Sequence, residues 1–266
     1  MAGKKKDTSL LHHLIGSRSL VWNLAKNDIK KKFAGSYFGV VWAFVQPVIT
    51  VLLYWFVFEK GLNSKATDLR TGIEIPFVLW LTAGLVPWFY FQEALNGGTG
   101  VLVEYSYLVK KVVFNISVLP VVKILSAVFT HLFFVAFTIV LFICMGYMPD
   151  WYALQVIYYS FCMILFATGL VYATSAVTVF FRDMKEVVGI LLQIGMWVTP
   201  IMWNFETMVQ IPGWAIAVLK LNPMYYIVSG YRNALINHIG FWEDMGLTVY
   251  FWVVTAVLLF LGTTVF

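Results

Sequence analysis

Gln46, Thr50 and Tyr54 recur at steps of three or four residues with Gly39 and Ala43, so they share one face of a helix. Trp42 lies beside that face. Gln193, Met196 and Trp197 repeat the pattern between Gly189 and Pro200. Amide, hydroxyl and indole groups in this arrangement bind rather than make or break bonds. Aromatic rings stack on the apolar faces of sugars while their polar tips hydrogen-bond, so the two faces suit a path for a sugar-rich ligand. They equally suit helix packing through small residues and an interhelical amide hydrogen bond, and the pattern alone leaves both open. A different chemistry belongs to Arg182, Asp183 and Lys185, which sit in a short charged break between two long apolar stretches. Such a hairpin lies in water, where an Arg-Asp pair can meet solvent, lipid headgroups or a soluble partner.

Bond-making constellations are missing. No glycine loop ending in Lys and Ser or Thr is present to cradle a phosphate, so the chain is not expected to hydrolyse nucleotides itself. His12 and His13 are adjacent, and His131 and His238 stand alone, which does not make a zinc-like pair. No metal or cofactor is expected on this chain. His131 falls within an apolar run, where it either hydrogen-bonds a neighbouring helix or has a functional role. Paired carboxylates inside the apolar runs are absent too, which argues against a proton- or sodium-driven carrier.

The positioning elements follow from composition. Of 266 residues 61% are hydrophobic and 12% charged, with a mean hydropathy of +0.83. A soluble domain of this length cannot hide that much apolar surface, so the bilayer must be part of its solvent. Cys144 and Cys162 lie inside apolar runs and are expected to be two small buried thiols rather than a disulfide. The predicted fold is one all-α integral membrane domain covering 1–266, with six spans at about 39–58, 76–91, 124–147, 151–181, 187–205 and 247–266. The stretch 206–246 is semi-apolar but broken by Pro212-Gly213, Asn222-Pro223, Gly230 and Gly240. Short re-entrant outer helices are expected there, provided protein or a water-filled cavity satisfies their backbone. Trp80, Trp88, Trp151, Trp242 and Trp252 are expected in interfacial belts.

Six spans put the N-terminus, the 92–123 segment and the 182–186 hairpin on one side. That side carries thirteen of the 18 Lys and Arg residues. Positive charge is retained in the cytoplasm, so both termini are predicted to be cytoplasmic in a multi-pass plasma (inner) membrane protein. The chain stops at Phe266 without a polar anchor, which leaves room for a longer natural tail. Residues 18–33 read as a basic amphipathic helix lying on the membrane, with Val21, Trp22, Leu24, Ala25, Ile29 and Phe33 opposite Lys26, Asn27, Lys30 and Lys31. A similar pattern over 101–113 follows Asn96-Gly97-Gly98-Thr99-Gly100, read as a flexible turn that presents a short helix to another protein.

Several separated motifs carry a resemblance that covers nearly the whole chain. Asp28-Ile29-Lys30, Gly35-Ser36-Tyr37-Phe38-Gly39-Val40-Val41-Trp42 and Gln46-Pro47 resemble the opening of polysaccharide-exporting type-2 ABC permeases, the membrane subunits of O-antigen, capsule and teichoic acid export. Phe181-Arg182-Asp183, Leu192-Gln193, Thr199-Pro200-Ile201 and Leu221-Asn222-Pro223-Met224 resemble the second half of the same family. Pro76-Phe77-Val78-Leu79-Trp80-Leu81 with Ala83-Gly84-Leu85-Val86-Pro87-Trp88-Phe89 looks most like the teichoic acid branch.

The resemblance implies a homodimer docked on two copies of a separate cytoplasmic ATPase, which alone binds ATP and Mg. It implies that the cargo is a lipid-linked glycopolymer, anionic or neutral, handled among membrane lipids, with no nucleic acid involved. Wall teichoic acid is the expected cargo, with O-antigen or capsular polysaccharide as the alternative and a drug as a more distant one. An interface helix would carry Trp22, Lys26, Lys30 and Lys31. Coupling to the ATPase would fall to Gly97, Gly98 and Glu104 in one loop and Arg182, Asp183 and Lys185 in the next. Trp42, Gln46, Thr50, Tyr54, Gln193 and Trp197 would line the path, and Trp203, Pro223 and Arg232 would belong to an outer gate. Lys30, Lys31, Lys110 and Lys111 would attract diphosphate charge near the cytoplasmic mouth, a pattern that lipid anchoring explains as well.

Overall fold

Apolar runs without interior charge fold as helices because a helix satisfies its own backbone where water cannot. The computed structural model describes residues 16–32, 34–107, 116–203 and 212–266. Helix α1 (Arg18–Lys32) precedes α2 (Trp42–Trp55), which widens into a π turn at Phe56–Gly61. A two-residue antiparallel pair, β1 (Ala66–Thr67) with β2 (Glu74–Ile75), closes the loop before α3 (Phe77–Thr99). Then come the single turn α4 (Val101–Glu104), α5 (Val118–Cys144), α6 (Gln155–Phe180) and α7 (Met184–Val198). Helices α8 (Gly213–Lys220), α9 (Pro223–Arg232) and α10 (Met245–Val265) follow. The architecture is mostly helical, with this β pair the one departure from the expected all-α fold among the described residues.

Among the described residues, four stretches are long and apolar enough to cross a membrane: Trp42–Gly61, Val118–Cys144, Trp151–Phe180 and Met245–Val265. The expected spans at 76–91 and 187–205 correspond to α3 and α7. Helix α3 is the mast of the bundle, buried along nearly its whole length and packed against α5, α6, α9, α7 and α2. Trp80 and Trp88, expected in an interfacial belt, are therefore core residues, 6% and 2% exposed. Helix α7 ends at Val198, just before Pro200, whose ring cannot continue a hydrogen-bonded helix. Phe33, Lys110, Lys111 and the 204–211 part of the expected outer gate fall outside the described residues. Both cysteines are free; Cys162 is buried, but Cys144 is exposed on the surface of this single chain.

The expected flexible turn at 96–100 is instead the helical end of α3. Gly98 is there for packing: a Cβ on it would strike the side chain of Val171 on α6. Thr99 and Thr174 join hydroxyls 2.9 Å apart across the same contact. An analogous approach joins α6 to α10. A Cβ on Gly169 would lie 2.9 Å from the backbone of Leu258 and Leu259, and one on Gly262 would strike the Gly169 carbonyl oxygen. Small residues of this kind let membrane helices approach backbone to backbone, where dispersion contacts replace the hydrophobic drive that lipid does not supply.

Helix α9 is short because Asn222 caps its start, accepting from Met224 N–H at 3.0 Å, and its π turn at Asn233–Asn237 ends on left-handed His238. It lies buried against α3, α6 and α10. Its Tyr231 hydroxyl meets Ser160 at 2.6 Å and His131 Nε2 at 3.0 Å, so His131 does bond its neighbours. At that end Asn237 accepts from Leu69 N–H at 3.1 Å, tying the β1–β2 loop down. Gly169→Val should destabilise the protein by about 1–3 kcal/mol or more, because backbone cannot move aside as a side chain can. A lowered melting temperature in detergent, with faster proteolysis of α10, is the measurement that checks this.

Candidate functional site

Charged side chains gather at one end of the bundle, where α1, the end of α3, α4 and the starts of α5 and α7 meet. Helix α1 lays Val21 and Ala25 on Val118 and Val122 of α5. One turn further along that face comes Asp28, 6% exposed. Lys123 places its ammonium 2.6 Å from Asp28 and 2.9 Å from Glu104. Tyr105 donates to Asp28 at 2.8 Å. Burial, and then that hydrogen bond, push the Tyr105 hydroxyl well above its ordinary range, so it remains a donor. Lys31 donates to Tyr107 at 3.0 Å, and Lys32 pairs with Glu93 of α3 at 2.7 Å. A signal for this cluster is visible in the residue spacing, since Asp28 follows Val21 and Ala25 on one helical face.

From this charged end a cleft of about 750 Å³ runs up between α2, α3 and α5. One wall is the α2 face: Trp42, Ala43, Gln46, Pro47, Thr50 and Tyr54 all line it. Thr50 turns its hydroxyl back to the Gln46 carbonyl at 3.0 Å. Across from them stand Phe89, Tyr90, Thr130, His131 and Phe134, while Lys31, Lys32, Lys123 and Lys185 stand toward the charged end together with Asp28, Glu93 and Glu104. Tyr90 Oη and His131 Nδ1 have no hydrogen-bond partner among the described residues. The cleft thus combines amide and hydroxyl groups with aromatic rings above and ammonium groups below. That set can bind a ligand bearing hydroxyls and charge.

The structure does not bring the α7 residues to this wall. Met196 alone of the α7 face lines the cleft with Lys185, whereas Gln193 and Trp197 point away and are exposed, Trp197 by 58%. They stand among exposed Val187, Ile190, Leu191 and Ile194 on an apolar face that this single chain leaves uncovered. Arg182 and Asp183 are exposed in the turn between α6 and α7. Gly97 lines the cleft, while Gly98 is packed away from it. Lys30 is exposed, and Trp22, 47% exposed, stacks under Lys26 and touches Phe129.

Arg232 was expected at an outer gate, yet it is 6% exposed and works as a clasp. It donates to the carbonyls of Pro200 at 2.6 Å and Ile201 at 2.7 Å, and its guanidinium lies 3.3 Å over the Trp80 ring. Both carbonyls belong to the turn that follows the end of α7 at Val198. Asn222 ties the same break to α9 through Thr199 at 2.8 Å, with Pro223 in the first turn, and half-buried Trp203 donates to the Trp197 carbonyl at 2.9 Å. Arg232→Leu should cost about 3 kcal/mol or more, since it strands buried carbonyls that a cation had satisfied. Thermal unfolding should show Arg232→Lys falling between the two.

Comparison with known proteins places the chain in a family. The ABC-2 type transporter family matches residues 19–236. An O-antigen export system permease protein RfbA of Myxococcus xanthus is 25% identical over 229 residues, 86% of this chain and 85% of that relative. One of the same name from Klebsiella pneumoniae is 22% identical over 218 residues, 80% and 79% of the two chains. With helices that can span a bilayer and a family match over most of its length, the chain is an integral membrane protein and belongs to the ABC-2 type transporter family.

Proposed function

We propose that the chain is the membrane subunit of an ATP-driven exporter of lipid-linked polysaccharide, with an O-antigen type of polymer as its cargo. The observation that carries this reading is the cleft. A wall of Trp42, Gln46, Thr50 and Tyr54 above an end where Lys31 and Lys185 stand among the Lys123 and Lys32 ion pairs suits a glycan whose lipid link bears phosphate. The names of the relatives point to the same class of cargo. Teichoic acid, the expectation from residues 76–89, has no such support among these relatives, so O-antigen is preferred.

In this reading α3 and α7 complete six spans, with both termini in the cytoplasm. A separate ATPase, in two copies, supplies the hydrolysis and docks at the charged end, where Arg182 and Asp183 are exposed. The uncovered apolar faces of α2 and α7 meet a second copy of the chain, so that the path runs between subunits. Helices α8 and α9 with the 199–203 break form the outer closure, held by Arg232.

The decisive experiment purifies this subunit with its ATPase in lipid and measures ATP hydrolysis and the movement of lipid-linked O-polysaccharide. Arg182→Ala with Asp183→Ala should lower complex assembly or ATPase activity by about tenfold, an ordinary scale for losing docking contacts. If no ATPase associates, and the chain supports export without one, the reading is wrong.

A further inference from the structure

Three segments far apart in sequence converge on one ammonium group. Lys123 reaches Asp28 of α1 and Glu104 of α4 at 2.6 and 2.9 Å. Tyr105 donates to the same Asp28 oxygen that Lys123 contacts. The Tyr105 ring also lies 5.5 Å from the Lys123 ammonium and 5.4 Å from that of Lys31. Lys123 and Asp28 side chains keep only 12% and 8% of their exposure, whereas Glu104 keeps 53%. Water and salt screen the Glu104 arm but not the Asp28 arm.

This matters because the remaining hold of α1 on the bundle is an apolar contact and two solvent-exposed polar ones, Lys31–Tyr107 and Lys32–Glu93. Val21 and Ala25 rest on Val118 and Val122, an apolar contact that tolerates sliding. Lys32–Glu93 is an exposed pair. The buried ion pair is directional, so it sets where α1 lies along α5 and, through Tyr105, where the 101–105 turn lies on α1. Asp28, Lys123 and Glu104 also line the mouth of the cleft. A displacement of either segment is therefore felt at the cleft through the same three side chains.

We propose that Lys123 is a positioning residue that joins α1 and the 101–105 turn into one rigid unit. A push from a soluble partner on either segment then moves both, and with them the start of α5 and the mouth of the cleft. The inference rests on the exporter reading above, with the ATPase at the charged end. It adds that α1 and the turn do not part during the transport cycle.

The test uses the full complex of this chain with its ATPase in proteoliposomes, and reads the amount of lipid-linked O-polysaccharide exported per ATP hydrolysed. Lys123→Met should leave an assembled complex in which that ratio falls about tenfold, within the usual range of coupling between sites. Lys123→Arg, which keeps both ion pairs, should restore it. A role in stability alone would alter yield and melting temperature but not the ratio. In a Cys144→Ala background, Lys31→Cys with Tyr107→Cys can be joined by a short bis-maleimide, because these side chains already touch at 3.0 Å. Export after cross-linking should equal export by the same protein before it. An unchanged ratio in assembled Lys123→Met, or loss of export on cross-linking, overturns the proposal. Where Lys123→Met does not assemble, the cross-link decides. A wild-type complex that exports nothing sinks the exporter reading as well, whereas wild-type export with an indifferent Lys123→Met sinks this inference alone.

Discussion

Water is scarce inside a bundle of this kind, and each polar group must find its partner in protein. That constraint explains where the irregular parts of the fold sit. Helix α7 stops before Pro200, and the carbonyls of Pro200 and Ile201 in the turn that follows are taken by Arg232. Helix α9 starts directly after α8 ends at Lys220, and Asn222 between them supplies both its cap and a bond to Thr199. The π turn after α9 leaves Asn237 to serve the Leu69 amide. Each of these three breaks carries a polar side chain that ties it to a neighbouring segment, so it becomes a joint instead of a defect.

The joints have different stiffness. Arg232 is delocalised, always charged and stacked on Trp80, which holds its fork in one plane. At the other end, the Lys123 ammonium is a compact point charge that can satisfy two carboxylates from different directions. A planar fork suits a closure that must hold one shape. A rotatable ammonium suits a junction of three segments that meet at unequal angles.

The helical membrane architecture was legible from the apolar runs, and the α2 face from the spacing of Gln46, Thr50 and Tyr54, because both depend on local periodicity. What periodicity could not tell was which runs face protein and which face lipid. Helix α3 carries Trp80 and Trp88 in the pattern of an interfacial belt, yet tertiary packing makes it the central mast. Gly97 and Gly98 looked like a hinge because glycine permits a turn, but it equally permits close packing, and the Val171 contact decided the matter. Gln193 and Trp197 share a helical period with Met196, but only Met196 reaches the cleft. A face is wider than the groove it borders, so spacing assigns residues to a side of a helix and not to a cavity.

Helix α2 shows what burial implies for assembly. It is among the most apolar elements, yet Val51 is its only fully buried residue among those described. Its Gln46 and Thr50 side faces the cleft while Ile49, Leu52, Leu53 and Phe56 face outward. Lipid can cover the second set at no cost, since hydrocarbon is as apolar as leucine. It cannot cover Gln46 so cheaply, because an amide in hydrocarbon loses hydrogen bonds worth several kcal/mol on the order of a water-to-alkane transfer. The polar wall, more than the apolar one, therefore demands water, glycan or a second subunit opposite it, and α2 is the helix most dependent on what lies beyond this chain.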